Sequence, residues 1–379
     1  MQEKAHLTTV GGAIKQRSSN LELYRIICMM LIVAHHCVVN SGLISSDPLT
    51  LQPCGPLVDN PFSLNTLLLW TIGMWGKTGI NCFLLITGYF MCTSKITLRK
   101  FLKLMLWIYI YKVFIFIIFL SCGYETLSPA RIIKLLSPVW GFNSNFTSCF
   151  IGFWLTIPFW NILIKNMTKL QHEILLCLLL GMYTILGSVP KFDVAMNYVT
   201  WFGVIYLISS YMRLYPHPIM SKKKLWMMLT ILSILLSIGS MVFMSYFFGH
   251  KGATFFVSDS NKIFAVIVAI SSFLWFKNMN ISYSKLINTI GASTFGVLLI
   301  HANSDAMRQW LWKDTVDCVG HYNLPPFQLV LYILSSVVII FIVFTIIDII
   351  RIKIVEKPFF RWYDNKPRFV RLQEFLKDK

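Results

Sequence analysis

Residues 331–350 read LYILSSVVIIFIVFTIIDII, an apolar run about as long as the roughly 20 residues an α-helix needs to cross a bilayer. A soluble protein interrupts its apolar runs at intervals of a helix or less. Outward from this stretch, a window of about 19 residues marks about ten such segments, at 21–43, 65–92, 101–122, 149–165, 172–189, 198–214, 224–248, 261–277, 286–304 and 328–352. Composition points the same way: 56% of the 379 residues are hydrophobic and 13% charged, and mean hydropathy is +0.65, where a soluble domain carries about 25% charged residues. The expected fold is all-α, a polytopic membrane helix bundle of about ten transmembrane helices. The second segment is long and interrupted by Gly73, Gly76, Lys77 and Gly79, which predicts a tilted or discontinuous helix.

The formal charge of +18 would suggest nucleic acid in a soluble protein, but here the cations occupy short loops between apolar segments, where they act as topology signals. Placing the N-terminus in the cytoplasm gathers Lys95, Arg99, Lys100, Lys103, Lys165, Lys169, Arg213, Lys222, Lys223, Lys224, Lys277 and Lys285 on that side with the basic tail. The asymmetry is roughly 25 cations inside against roughly 7 outside, so both termini are expected to be cytoplasmic. No nucleic-acid partner is expected; membrane lipid is. Residues 1–20, with Lys4, Lys15 and Arg17 and no cleavable signal, read as a cytoplasmic segment. Residues 21–357 read as one membrane domain and 358–379 as a basic cytoplasmic tail lying against an anionic leaflet. With no long hydrophilic block or internal repeat, any chemistry has to use groups within the membrane domain.

Nine cysteines are scattered without CxxC or paired Cys and His spacing, so no metal site is predicted. Cys54, Cys149 and Cys318 fall in expected outer loops, where a disulfide is chemically possible in an oxidising compartment.

Ionisable side chains inside a spanning helix cost at least about 2.5 kcal/mol at its centre, so each asks for a reason. In the first helix eleven residues separate Arg25 from His36, about three turns and about 16 Å of rise, which puts both on one face. His35 is turned about 100° away, toward a neighbouring helix or lipid. Arg25 could equally snorkel to the interface beside Glu22, whereas a buried imidazole near mid-membrane suits a general base. Asn81, Thr87 and Tyr89 surround the small residue Gly88, a pattern of close helix packing that also offers polar groups. A run of small residues from Gly291 leads to His301, Asn303 and Ser304 near the outer end of the ninth segment. At the start of the third, Arg99, Lys100 and Lys103 could bind phosphates or simply set orientation.

This pattern resembles the integral-membrane acyltransferase family three, ten-helix enzymes that O-acylate bacterial surface polysaccharides and related acceptors. The resemblance rests on an Arg, ten residues, His motif met by Arg25 and His36, and on a run from Phe83 to Phe90 similar to the family's phenylalanine-rich segment, with Thr87 where it has serine. Lys100 and Lys103 stand where the family has an Arg-x-x-Arg element, Thr294 to His301 is similar to a late element ending in histidine, and Glu356-Lys357-Pro358 looks like its Glu-x-Pro signature. What the resemblance implies is an acyl-CoA donor, usually acetyl-CoA, at the cytoplasmic face of the inner (plasma) membrane, and an acceptor hydroxyl on a cell-surface polysaccharide or lipid-linked sugar. Arg25, Arg99, Lys100 and Lys103 would then hold the coenzyme's phosphates, and His36 with Arg25 would carry the chemistry. Asn81, Thr87, Tyr89, His301 and Glu356 would be supporting polar groups. The rival reading is a multi-span transporter or flippase of a glycan or small solute, but such folds commonly pair broken helices in both halves, and only one strongly broken segment is apparent.

Overall fold

The computed structural model describes residues 8–10, 13–15 and 18–366, apart from 143, 144 and 193. Most of the N-terminal segment, including Lys4 and Arg17, and positions 367–379 of the basic tail lie outside the described residues. The chain is about 75% helical with almost no strand; the described strands form two short antiparallel pairs, Thr8–Val10 with Ala13–Lys15 and Ser45–Ser46 with Pro53–Cys54.

Each of the apolar segments carries helix. In chain order these are α1 (Ser19–Val39), α2 (Leu64–Gly73), α3 (Gly76–Met91), α4 (Leu98–Ser121), α5 (Phe146–Asn166) and α6 (Lys169–Leu179, continued through a π turn to Ser188). They are followed by α7 (Tyr198–Leu214), α8 (Lys223–Phe248), α9 (Ile263–Lys277), α10 (Lys285–Ala302) and α11 (Pro326–Arg351). Seven helices are long and apolar enough to cross a membrane: α1, α4, α5, α6 with its continuation, α8, α10, and α11 with its continuation to Asp364. The other three segments are the broken pair α2 and α3, the 17 residues of α7 and the 15 of α9. The interruption anticipated in the second segment falls at Met74 and Trp75, where Trp75 leaves helical geometry at φ −90° and ψ 0°. Helix starts are written locally: Asn145 accepts from the amides of Thr147 and Ser148 to open α5, and Ser284 accepts from that of Ile287 to open α10.

The hub of the bundle is α1, packed against α2, α3, α9, α10 and α11. Half of its spanning stretch is buried, against 22% for α8, whose Leu232, Leu235 and Leu236 point outward. That arrangement of large aliphatic side chains is stable only where the surroundings are hydrocarbon. The chain is therefore a multi-pass membrane protein.

Two ends of the bundle are distinguished below: the near end, where α1 begins, and the far end, where it finishes. Cys149 lies inside α5 rather than in a loop, because Asn145 caps the helix earlier than the hydropathy window resolves, and its thiol donates to the Phe142 carbonyl. Cys54 contacts the Ser45 hydroxyl, and Cys318 lies against Cys37.

Helix α3 approaches α7 across Gly88, where an added Cβ would lie 2.0 Å from the Ser209 hydroxyl and 3.0 Å from the Tyr206 ring. Ser209 is fully buried and held by the Tyr206 carbonyl, so it has little room to withdraw. Gly88→Ala is expected to destabilise the protein by about 1–3 kcal/mol, seen as a lower midpoint of thermal unfolding in detergent; an unchanged midpoint would show that the two helices separate freely.

Candidate functional site

Two polar clusters lie at opposite ends of the bundle. At the far end α1 and α10 finish side by side, each with a histidine in its last turn. Nδ1 of His36 is 2.9 Å from Nε2 of His301, and Nδ1 of His301 is 2.6 Å from the Val297 carbonyl one turn earlier in its own helix. A carbonyl oxygen only accepts, so the His301 proton sits on Nδ1 and its Nε2 is an acceptor. His36 must then donate from Nδ1, which leaves its Nε2 with the free lone pair. Two hydrogen bonds thus fix the tautomer and the orientation of the outer imidazole through the inner one. His301 is fully buried and meets the Trp312 ring edge to face at 6.0 Å.

His36 lies in the last turn of α1, closer to the helix end than the apolar window 21–43 suggests, because Asn40 ends α1 and Gly42, at φ +88°, turns the chain away. His35 faces the neighbouring helix, as its 100° rotation requires: its Nδ1 donates to the Gly73 carbonyl at 2.6 Å. Its ring lies directly over Gly76, where a Cβ would stand 2.2 Å from it. The break between α2 and α3 thereby makes room for His35 and frees the carbonyl that receives it. Lys77, at the start of α3, is hydrogen-bonded to the Tyr198 hydroxyl and lies 3.7 Å from Asp259.

Beyond the two histidines opens a cavity of about 470 Å³ lined by Asn40, Ser45, Ser46, Asp305, Arg308 and Lys313 among others. Asn40 is one turn past His36, and Asp305 and Arg308 belong to the short helix that follows α10, so the cavity is lined by the segments into which the two histidine-bearing helices lead, and neither histidine lines it. Arg308 and Lys134 both bind Asp305, at 2.7 and 2.8 Å, and the Lys134 ammonium holds the Asp305 carboxyl below its ordinary range.

The near end gathers the cations. Arg25 donates to Glu22 at 2.7 Å, Arg99 forms a two-pronged pair with Asp364 at 2.9 and 3.0 Å, and Lys103 is 2.6 Å from Glu356. Lys100 is held by the Ser94 hydroxyl and the Lys95 carbonyl, at 2.6 and 2.7 Å, with no carboxylate partner among the described residues. Tyr89 accepts from Arg213 at 3.1 Å, and Arg213 and Lys277 both face its ring. Glu356 also accepts from Arg351 at 2.9 Å; Arg351 donates to Asp348 at 2.8 Å, and Asp348 accepts from the Tyr111 hydroxyl at 2.6 Å. The π turn Ile352–Glu356 brings Glu356 under Arg351 with the i to i+5 spacing of such a turn.

The structure therefore brings together His36 and His301, and separately Lys103 and Glu356. Arg25 shares the His36 face but lies about 16 Å of helix rise away, at the other end. Asn81 is committed to the fold, accepting from the Trp201 indole at 2.9 Å and donating to the Ser260 carbonyl at 2.7 Å. Thr87 bonds back to the Phe83 carbonyl of its own helix. Arg308, Trp312, Arg213 and the Tyr111, Asp348, Arg351 chain were not singled out from sequence, although Asp348 and Arg351, three apart near the end of an apolar run, are the kind of ionisable pair that asks for a reason there.

Among the described residues no group of three His, Cys, Asp or Glu side chains is arranged to hold a metal ion. No curated protein and no solved structure matches the chain. A family model described as an acyltransferase domain matches residues 18–345, which takes in α1 with both of its histidines, α10 with His301 and most of α11. With nearly the whole chain matched, the protein belongs to acyltransferase family 3 and is a membrane acyltransferase.

Proposed function

We propose that the protein moves an acyl group, acetyl in the first instance, from acyl-CoA at the near end to a hydroxyl of a cell-surface polysaccharide or lipid-linked sugar at the far end. In this reading all ten helical segments of 21–357 cross the inner (plasma) membrane as one domain, and both termini lie in the cytoplasm. The short α7 supports this: it is buried along most of its length between neighbours, so its 17 residues are solvated by protein and need no lipid match. The concentration of Arg and Lys at the near end supports reading that end as cytoplasmic.

The observation that carries the proposal is the hydrogen bond from His36 Nδ1 to His301 Nε2. It leaves Nε2 of His36 as a base of defined direction, and the segment that follows His36 in the chain lines a polar cavity able to seat a sugar. The acceptor hydroxyl gives its proton to Nε2 while its oxygen attacks the thioester carbonyl. The C–O bond forms, the C–S bond breaks, and the coenzyme thiolate takes up the proton. His301 accepts a stronger hydrogen bond as His36 becomes imidazolium, which stabilises that charge. The same lone pair would serve a two-step route through an acyl-histidine.

At the near end, Arg25, Arg99, Lys100 and Lys103 are the groups for the donor's phosphates, and Arg213 and Lys277 join them. Arg99 and Lys103 would exchange a carboxylate for a phosphate, whereas Lys100, Arg213 and Lys277 have no carboxylate partner among the described residues. The flexible pantetheine arm, not the nucleotide, would cover the helix rise between Arg25 and His36. Membership of an acyltransferase family leaves the transporter reading without support.

Membrane vesicles containing the protein, supplied with labelled acetyl-CoA and a lipid-linked glycan fraction, are expected to place alkali-labile label in the glycan; vesicles without it should not. Label trapped on the protein when acceptor is withheld would select the two-step route, and transfer from no acyl-CoA would remove the donor assignment.

A further inference from the structure

Cys37 and Cys318 are 281 positions apart in sequence, yet their Sγ atoms are 3.6 Å apart and both residues are fully buried. The Cys318 thiol also lies 3.5 Å from the Cys37 carbonyl. Neither has a part in the chemistry above. Cys37 follows His36 in α1, and Cys318 belongs to the connection between α10 and α11, whose Arg308, Gln309 and Lys313 line the far-end cavity and whose Trp312 packs on His301. The chain enters Cys318 through Asp317, a non-glycine residue in the left-handed region at φ +42°, with its carboxylate accepting from the Gly320 amide at 3.0 Å. That turn is held by its own side chain and seats the thiol against α1.

We propose that Cys37 and Cys318 are an oxidation site, joined in the mature protein by an intramolecular disulfide that fastens the cavity-lining connection to α1 beside His36. The sulfurs would close from 3.6 Å to about 2.0 Å, a change that rotation of two cysteine side chains supplies. Two S–H bonds are lost and one S–S bond forms. Because both thiols are fully buried once the connection has docked on α1, the exchange takes place during folding: the two electrons reduce the disulfide of a thiol oxidoreductase outside the cytoplasm, and the two protons end on its thiols. The inference rests on the orientation proposed above, which turns the far end toward an oxidising compartment. Cys28 and Cys82 supply an internal contrast. They also lie close to one another, but Cys28 is nine residues before Cys37 in α1 and Cys82 is within α3, away from the far-end connection, and they are expected to remain thiols.

The full chain, purified from membranes of a bacterium with an oxidising extracytoplasmic space, is unfolded in SDS with an alkylating agent and no reductant, then digested and weighed. The expected result is a cross-linked pair of peptides containing Cys37 and Cys318, with Cys28 and Cys82 alkylated; prior reduction should release the pair, and Cys318→Ser should leave Cys37 alkylated. Reductant should also lower the unfolding midpoint of the wild type and leave that of Cys37→Ser/Cys318→Ser unmoved. Alkylation of both cysteines in the unreduced wild type overturns the proposal whether or not the protein transfers acyl groups. A cross-link in a protein that transfers none would uphold it and count against the functional reading alone.

Discussion

His36→Ala is expected to lower acyl transfer by about a hundred- to ten-thousand-fold, the range over which a positioned general base acts, without lowering the amount of folded protein. The loss should fall on kcat, since the imidazole acts on the proton that moves in the transition state and contributes little to holding either substrate. His301→Ala should cost less. It leaves Nε2 of His36 in place and removes only the acceptor that fixes the ring's tautomer and orientation, so part of the population keeps a usable base. His301→Gln, whose amide oxygen can accept from His36 Nδ1, should recover part of that loss. A residue with a merely structural role would not show this recovery. His35→Asn is the control, because His35 bonds to the Gly73 carbonyl and its loss should move the unfolding midpoint more than kcat. Turnover by His36→Ala equal to wild type, in a protein with an unchanged midpoint, would remove the histidine pair from the reaction.

Much of this arrangement is legible in the chain. The apolar segments give the helices because hydrocarbon leaves the backbone few other ways to satisfy its amides and carbonyls. The glycines at 73, 76 and 79 give the break. Simple rotation along α1 separates His35 from the face shared by Arg25 and His36. What the sequence does not show is which helix lies opposite that face. That His36 meets His301 depends on α1 packing against α10 in one register, a long-range choice made by small contacts such as Gly291 against Glu22, where a Cβ would come within 2.5 Å of the carboxylate. The depth of His36 was also hidden. A hydropathy window runs through Asn40 to residue 43, although the asparagine and Gly42 end the helix sooner. Lys100 and Lys103 look alike from composition, yet one is held by neutral oxygens and the other by Glu356, a difference set by where α11 ends.

Arg351→Met is expected to destabilise the protein by about 3–5 kcal/mol, the cost of stranding the buried Asp348 carboxylate by deleting its one charged partner among the described residues. Asp348 is fully buried and Arg351 is 6% exposed, and the two sit in a chain of alternating sign: Asp348, Arg351, Glu356, Lys103. The four charges sum to zero, so the chain can exist near the edge of a bilayer; removing an inner member, Arg351 or Glu356, leaves an end member, Asp348 or Lys103, without its partner. Space is also fixed, because a Cβ at Gly296 would lie 2.0 Å from an Asp348 oxygen; α10 therefore presses the carboxylate toward Tyr111 and Arg351. Asp348→Ala should cost less, about 1–3 kcal/mol, because Arg351 keeps Glu356 as its partner. Asp348→Ala with Arg351→Met removes one charge of each sign and leaves Glu356 paired with Lys103, so it should be more stable than Arg351→Met alone, and a double-mutant cycle on unfolding midpoints in detergent would read the difference as coupling. Strict additivity would mean that water or lipid headgroups reach these groups and screen them. Coupling would mean that α4 and α11 are locked together at the near end by charges that must move as a set, and donor phosphates arriving at Lys103 would then act on Arg351 and Asp348 through Glu356.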